Sequence, residues 1–549
     1  MIKSSRYLFN IAAFLILIIL ASQPLPVKAV PDTWYAAAGP VGADNCTIGN
    51  ECSLWDAVDL AGNGDTIYLR YGPYVVHDST DDEVLYIDKS LTIIGGCNED
   101  YSTCELGYQY TSSIFDGDPH HDPVWPFTRV ITIQGSKAFR PSVTLRNLHI
   151  VRGIGDGIIN DLPCYSDGTG VTVGCGGGIY ANQLASLTIE NCFFYDNSGA
   201  QQPLAGAPGV GYGGAIYLQD VSDIHIRNNE FNSNQAYVAG RGYGGAIALA
   251  GNPGGVGKIE IKGNHFLEND CGQSGTTTTD KGCGLFILNT PTAAVAYNQF
   301  EDSNNPTTPQ PLHGSAIYVN NSGGLKLLTN TFTGNYGYSA VEVWNDFATP
   351  DDVFERNKFW DNDVFYLLNY EGIYWVMIRN NFFGHNIPIR DFQDRGGGQT
   401  GIRLITSGGP TDNTSAWIFN NTFAALDIGF SSDDMVLVEA YNNIFAHISN
   451  IALFGGAATS VVRNLYWDNF ANGDTGSMPV YADPNLADIT TGDFHLAYPS
   501  AATDKASSGL GVPSEDIDMQ ARPFGVSATP YDLGADELIL QTFIPILFK

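Results

Sequence analysis

The sequence predicts an all-β solenoid, a parallel β-helix, and three observations carry the prediction. First, an apolar residue is followed three positions on by Asn and five positions on by an aromatic. The copies place Phe194, Phe231, Phe266, Phe300, Phe332, Phe359, Phe383, Phe423, Phe445 and Tyr466 at spacings of 21 to 40 residues. A unit of this size cannot bury its own apolar face, so it must stack on its neighbours. Second, the copies alternate with period two, as at Ile224/Ile226, Ile259/Ile261 and Leu325/Leu327, which marks strands and not helices. Third, each coil carries another strand led by glycine: GGGIYA at Gly176, GGAIYL at Gly213, GGAIAL at Gly244, GLFIL at Gly284 and GSAIYV at Gly314. SAVEV at Ser339 and VFYLL at Val364 continue the series. Glycine there allows a positive φ where the chain turns tightly into the strand. The shortest spacings, 21, 22 and 24 residues, hold three short strands and their turns, and longer copies insert loops.

Residues 1–29 read as a secretory signal: Lys3 and Arg6, an apolar run Leu8–Ala21, and a small-residue cleavage site at Val27-Lys28-Ala29. The expected location is therefore secreted or cell-surface. Residues 30–62 are expected to cap the solenoid. Ser53 can cap a short helix with Asp56 at the capping-box position, and Leu54, Ala57, Val58 and Ala61 share one face. Such a helix shields open strand edges. The coils are expected over 63–470, final irregular coils and a cap over 471–537, and a short apolar tail over 538–549. No stretch after the first reaches 18 apolar residues, so no later helix is expected to span a membrane.

Within the coils the Asn column runs Asn229, Asn264, Asn298, Asn330, Asn357, Asn381, Asn421, Asn443 and Asn464. Stacked one coil apart, about 4.8 Å, these amides can bond one another and the turn backbone. A row of ligand-binding amides is the functional alternative, and a tight turn explains the column without one. The aromatic column reads as stacked core rings.

The chain has 58 acidic and 26 basic residues, a formal charge of −32. Phosphate recognition needs basic patches, so nucleic acid is not an expected partner. All nine cysteines precede residue 284. Cys46/Cys52, Cys97/Cys104, Cys164/Cys175 and Cys271/Cys283 are close in sequence. They read as disulfides of an exported chain, each placed in a loop that it pins. Cys192 occupies the Asn-column position of the first coil, so it is expected to be buried and unpaired.

The GGA[IL] and FxxN repeats resemble the polymorphic outer-membrane-protein family and, more broadly, the right-handed β-helix proteins of the pectin-lyase-like superfamily, over roughly residues 140–470. Residues Asn50–Leu69, NECSLWDAVDLAGNGDTIYL, resemble the CSLREA-type N-terminal segment, with Trp55 and Asp56 where that pattern has Arg and Glu. Ala482–Pro484, Gly492–Leu496, Asp504, Arg522-Pro523 and Asp532–Glu537 resemble the choice-of-anchor Q C-terminal segment, which has Tyr where this chain has Asp536. The resemblance implies a right-handed coil and specifies no activity.

Many members of the superfamily cleave glycans. Of the NTD, DD, GHG and RIK patterns of polygalacturonase-like enzymes, Gly384-His385-Asn386 is the nearest to GHG, Asp433-Asp434 comes later, and RIK is missing. Val343-Trp344-Asn345-Asp346 is similar to the VWIDH strand of pectate-lyase-like enzymes but lacks its His. The preferred expectation is thus non-catalytic binding of an extracellular polysaccharide or cell-surface component. The alternative is a polysaccharide lyase or glycoside hydrolase, and hydrolysis would need two suitably spaced carboxyls.

Two site candidates follow. Aligning the glycine-led strands places Tyr180, Tyr217, Ala248, Phe286, Tyr318, Glu342, Tyr366 and Arg403 at one outward position, with Trp344 two residues on from Glu342. Aromatics beside acids and amides suit sugar rings, and Tyr318, Glu342, Trp344, Tyr366 and Arg403 form the candidate glycan site. Inserted loops that fold back and bury the stripe are the preferred reading against it. Asp116, Asp118, His120, His121 and Asp122 carry metal-ligand chemistry, with calcium the candidate ion, but a solvated loop with turn-forming DG and DP is the preferred reading. Asp361 and Asp363 flank Asn362 in a turn of the same ambiguity, solvated acids being preferred.

Overall fold

The computed structural model describes residues 32–538 except 39–44, 77–82, 108–111, 119–127, 156–163, 166–170, 201–208, 238–240, 252–256, 273–279, 291, 304–312, 346–350, 373–374, 385–397, 407–413, 456, 509–511 and 524–530. The expected signal segment and all but the first residue of the apolar tail lie outside the described residues.

Each coil has three short strands, as in Ile317–Asn320, Lys326–Leu328 and Thr331–Thr333, and the next coil repeats them one step along the axis. Stacking gives three parallel faces, here the Gly face, the middle face and the Phe face. The Phe face is a 13-stranded sheet from Gly72–Tyr74 to Leu465–Trp467. The other two faces join into one 24-stranded network, because Ile179–Glu190 and Ile216–Arg227 run unbroken around the corner between them. The fold is a right-handed parallel β-helix: the repeat period requires the stacked coils, and the hand is the one the resemblance implies.

Inward residues define the register. Phe194 pairs with Phe231, Phe231 with Phe266, and so on to Phe445 with Tyr466. Successive ring centroids are 4.5 to 5.5 Å apart, so the column is one continuous aromatic stack. The Asn column lies at the turn leading into the Phe face. Each Asn donates its backbone N–H and its Nδ2 to the Oδ1 of the Asn in the next coil, as Asn330 does to Asn357, at 3.0 Å in both cases. The same Nδ2 donates to a carbonyl of the preceding coil, Val295 O, at 2.8 Å. The backbone N–H and both ends of the ladder amide in this buried turn thereby find partners. The residue before each ladder Asn is left-handed, with φ near 50–60° at Asn228, Arg356, Asn380, Asn420 and Asn442.

Cys192 begins this ladder. It has no amide to offer, yet its backbone N–H donates to Asn229 Oδ1 at 2.8 Å. Its thiol is buried and free, and burial pushes its pKa up to about 12. At the start of the Gly face, Gly176, Gly213, Gly244, Gly282 and Gly314 have φ of 58–70°. A Cβ on Gly213 or Gly244 would stand 2.2 Å from a carbonyl oxygen, so glycine is required there.

The four disulfides join the expected neighbours: Cys46 to Cys52, Cys97 to Cys104, Cys164 to Cys175, and Cys271 to Cys283. Their setting corrects the expectation that both ends lie in loops. Cys52 is buried and bridges to Ala36 in parallel, so it belongs to the first coil and not to a surface loop. Cys97 ends the strand Leu91–Cys97, and Cys104 returns beside it in an antiparallel bridge, half-buried. Cys175 ends the strand Val171–Cys175, and its partner Cys164 is half-buried. Cys271 sits in the strand Asp270–Gly272, and Cys283 is buried, its N–H donating to Ser315 O of the next coil at 2.9 Å. Each bridge thus anchors an excursion of the chain to the stacked coils. Spacing alone revealed the pairs but not which ends were stacked, because stacking is set by the neighbouring coil.

The N-terminal end is closed by the helix Leu54–Leu60. Ser53 Oγ accepts the Asp56 N–H at 3.1 Å, and Leu54, Ala57 and Val58 are buried. Lys89 Nζ donates to Val58 O and Ala61 O at 3.1 and 3.2 Å, satisfying the helix C-terminus.

The C-terminal region departs from expectation. Residues near 471–480 add one partial coil through bridges Leu453–Gly473 and Leu465–Val480. Beyond them the chain does not go on as end coils; it folds back along the outside of the Phe face. Phe494 packs edge-on against Phe382, Glu515 pairs with Arg356, and Met519 Sδ reaches Tyr297 Oη. The left-handed asparagines hold this segment: Asn380 to Glu515 O, Asn420 to Asp532 O and Gly534 O, Asn442 to Ser507 O. The Asn-Asn doublets thus divide labour, with the first amide binding the wrap and the second binding the ladder.

Phe359→Ala should lower stability by about 3–5 kcal/mol, read as a shift in the urea midpoint, and rings that unstack without such a shift would contradict the register. In the oxidised protein a thiol reagent should find no reactive cysteine until denaturant is added, and then a single one at Cys192.

Candidate functional site

The outward column of the Gly face is set by strand register. Tyr318 pairs with Glu342, Glu342 with Asn369, and Asn369 with Arg403. Tyr366 is not in this column as expected; it pairs with Ser339, three residues off. The VFYLL copy has no leading glycine to mark its start, so its short apolar run aligns in more than one way.

The first half of the stripe is covered, in the way expected of inserted loops. Tyr180, Tyr217 and Tyr318 are fully covered. A small three-stranded sheet of Val171–Cys175, Gly209–Tyr212 and Arg241–Tyr243 accompanies a second apolar layer of Tyr180, Tyr212, Tyr217, Tyr243, Phe286 and Tyr318. Inserted segments therefore bury the first half of the stripe, and Trp344, 39 % exposed, marks the part that stays open.

Around Trp344 the structure gathers a polar and aromatic group. The Glu342 side chain is wholly buried. Its Oε1 takes the Trp344 Nε1–H at 2.7 Å, its Oε2 takes the Ser339 hydroxyl at 2.7 Å, and both oxygens lie about 3 Å from His313 Nδ1. Ser339 Oγ in turn accepts the Gly314 N–H. Burial alone would raise the Glu342 pKa. The His313, Ser339 and Trp344 contacts outweigh it and hold the carboxyl below its usual range.

Beside this carboxylate, Tyr338 stacks obliquely on His313 at 4.9 Å and edge-on against Tyr366 at 5.1 Å. Burial pushes the Tyr338 phenol up to about 12. Arg403 lies 5.0 Å over the Tyr366 ring and donates to Tyr338 Oη at 3.3 Å. Lys281 donates to Tyr318 Oη at 2.9 Å and sits 4.3 Å over its ring. Of the five residues expected here, Trp344, Glu342, Tyr366 and Arg403 fall in one neighbourhood, and Tyr318 lies beneath it. The sequence reading missed His313, Ser339, Tyr338 and Lys281. Lys281 and His313 share the column just before the left-handed glycines, so extending the glycine alignment one residue would have found them.

The group has a buried carboxylate holding an imidazole, a half-exposed indole and an Arg-capped aromatic. It can orient His313 in one tautomer and present flat faces with polar neighbours.

Two groups have metal-ligand chemistry. Asp116 is bound through both oxygens by Arg152, and Asp118 donates its backbone N–H to Asp116. Arg152 thus occupies the positions where a cation would bind Asp116. His120, His121 and Asp122 lie outside the described residues. In the C-terminal segment the ligand atoms of His495, Asp518 and Asp536 lie within 4.8 Å of one another. His495 Nε2 is 2.7 Å from Asp518, Nδ1 is 2.5 Å from Asp493, and Lys358 Nζ is 3.3 Å from Asp518. The Asp518 contact first, then Asp493, raises His495 to about 9 against the opposing effect of burial. The protonated imidazole is the counter-ion of this carboxylate group.

Residues 142–300 match the family model for a right handed beta helix region. No curated protein matches the chain. Among the described residues no helix is long and apolar enough to cross a membrane.

The His495 cluster makes docking of the C-terminal segment pH-dependent. His495 is raised from 6.5 to about 9, so its contribution is complete below about 6.5 and lost as pH rises through 9. Asp518 is lowered to about 2 by His495, so its contribution is complete above about 4 and lost as pH falls through 2. Burial raises the Asp536 pKa. Protection factors of the described amides of residues 483–538, that is, exchange corrected for its intrinsic rise with pH, should be highest near pH 5 and lower at pH 10, and His495→Gln should remove the alkaline loss of protection.

Proposed function

We propose that this chain is a secreted or surface-associated β-helix protein that binds an extracellular polysaccharide along the open half of its Gly face without cleaving it. The observation that carries the reading is the half-exposed Trp344 ring, fixed to buried Glu342, whose other partner His313 contacts Tyr338, which in turn meets Tyr366 and Arg403. Its indole is held by a hydrogen bond, so little freedom is lost when a sugar stacks on it. The coils repeat about every 4.8 Å, so an extended glycan lying along the axis meets successive coils. Binding should therefore be weak per sugar and grow with chain length. The net charge of −32 disfavours strongly anionic glycans unless Arg403 or calcium offsets it.

A second reading, a polysaccharide lyase or glycoside hydrolase, is favoured by one feature: His313 held against an ionised, buried carboxylate, an arrangement suited to a general base.

A polysaccharide-array screen with and without calcium separates the two readings when paired with depolymerisation assays. Binding should be found with no release of reducing ends or unsaturated products. Trp344→Ala should weaken binding by about 1–2 kcal/mol, roughly 5- to 30-fold, at an unchanged unfolding midpoint. Unchanged affinity in that variant sinks the binding site. Cleavage that disappears in His313→Ala establishes the second reading instead.

A further inference from the structure

A second site lies on a different side of the solenoid. The C-terminal wrap contacts the outside of the Phe face from Tyr297 to Leu465. Nearer the N-terminus that surface carries a cavity of about 750 Å³, within the size range of small-molecule sites. Strand alternation builds it: Ile150, Phe194 and Phe231 point into the core, so His149, Phe193, Tyr195 and Glu230 point outward on adjacent coils.

The floor is aromatic. The Phe193 and Tyr195 rings lie within 6° of parallel with centroids 6.0 Å apart, and His149 lies 5.2 Å from Phe193. The polar groups around the floor are an ion pair, an imidazole and a carboxylate. Arg152 is matched by Asp116 through two contacts. His149 Nε2 lies 3.1 Å from Gly107 O. A carbonyl only accepts, so Nε2 carries the proton and Nδ1 the lone pair. Burial lowers the His149 pKa and keeps the ring neutral. The Glu230 carboxylate has no hydrogen bond or ion pair among the described residues. A cavity with aromatic faces and one carboxylate without a protein partner among the described residues favours a ligand that brings positive charge and flat apolar faces.

We propose that this cavity binds an amine-bearing sugar, its ammonium paired with Glu230 and its ring faces set against Phe193 and Tyr195. Ammonium groups over aromatic faces and beside a carboxylate gain from both contacts. A uronate would meet Glu230 with like charge, and a neutral sugar would leave that carboxylate unmatched. The site is independent of the Gly face.

The test is calorimetric titration of the chain lacking its signal segment with the glucosamine trisaccharide and with its N-acetylated counterpart, which lacks the ammonium groups. The amine form should bind at least tenfold more tightly, and added salt should reduce the difference. Glu230→Gln should bring its affinity down to that of the acetylated form, and Tyr195→Ala should weaken both. Glu99→Gln, at an exposed acid elsewhere, should change nothing, which excludes general attraction to an acidic protein. Trp344→Ala should also leave this binding intact. Equal affinity for the two trisaccharides overturns the proposal, as does binding indifferent to Glu230→Gln, binding lost in Trp344→Ala, or no binding of the amine form.

Discussion

The asparagine ladder is the interaction on which the rest of the molecule depends. Eight successive Asn-to-Asn steps, from Asn229 to Asn464, place a backbone N–H and a side-chain N–H on one Oδ1 of the next coil. The turn is buried, so these groups have no water to fall back on, and an unmet donor there is costly. A slip of one residue would remove both bonds at once and turn every strand over. Fixed this way, the turn forces each aromatic two residues later onto the one before it. The Phe stack is thus a consequence of the ladder as much as a contributor to it.

A fixed cross-section leaves the outer surfaces free to vary, and the chain uses its three faces differently. On the Gly face, inserted segments form a second sheet and bury Tyr180, Tyr217 and Tyr318. The Cys164–Cys175 disulfide ties one of those insertions back to the stacked coils. Where that cover ends, a polar group collects around Glu342. On the Phe face, the C-terminal segment covers the later coils, tied down by the left-handed asparagines and by Thr422 Oγ1, which accepts the Ala535 N–H. The earlier coils stay outside its reach and carry the cavity around Phe193.

Two buried charges among the described residues show how this acidic chain surrounds them with partners. Glu342 has three side-chain donors, and Arg522, fully buried, spends its guanidinium on Asp532 O and Gly534 O with Glu537 nearby. Such groups contribute geometry more than net stability, because desolvation offsets much of the attraction. They hold Trp344 and the C-terminal segment in single arrangements.

The sequence by itself determined the solenoid, its ladder, its aromatic stack, the capping helix and the pairing of the four disulfides. Each of these rests on residues a few positions apart or on a pattern repeated coil after coil, and period-two alternation makes the inward side readable. It also placed Trp344, Glu342 and Arg403 in one neighbourhood. It misplaced Tyr366 where the glycine marker is missing, and it passed over His313, whose partner Glu342 lies 29 residues on. It put Cys52 and Cys283 in loops, although both are buried among stacked coils. Only the tertiary structure decided which outward residues stay open and where residues 483–538 run. Those outcomes depend on contacts such as Glu515 with Arg356, 159 residues apart. Nothing in a repeating local pattern encodes which distant segment will cover a face, because that choice is made by the shape and unpaired donors of the finished surface.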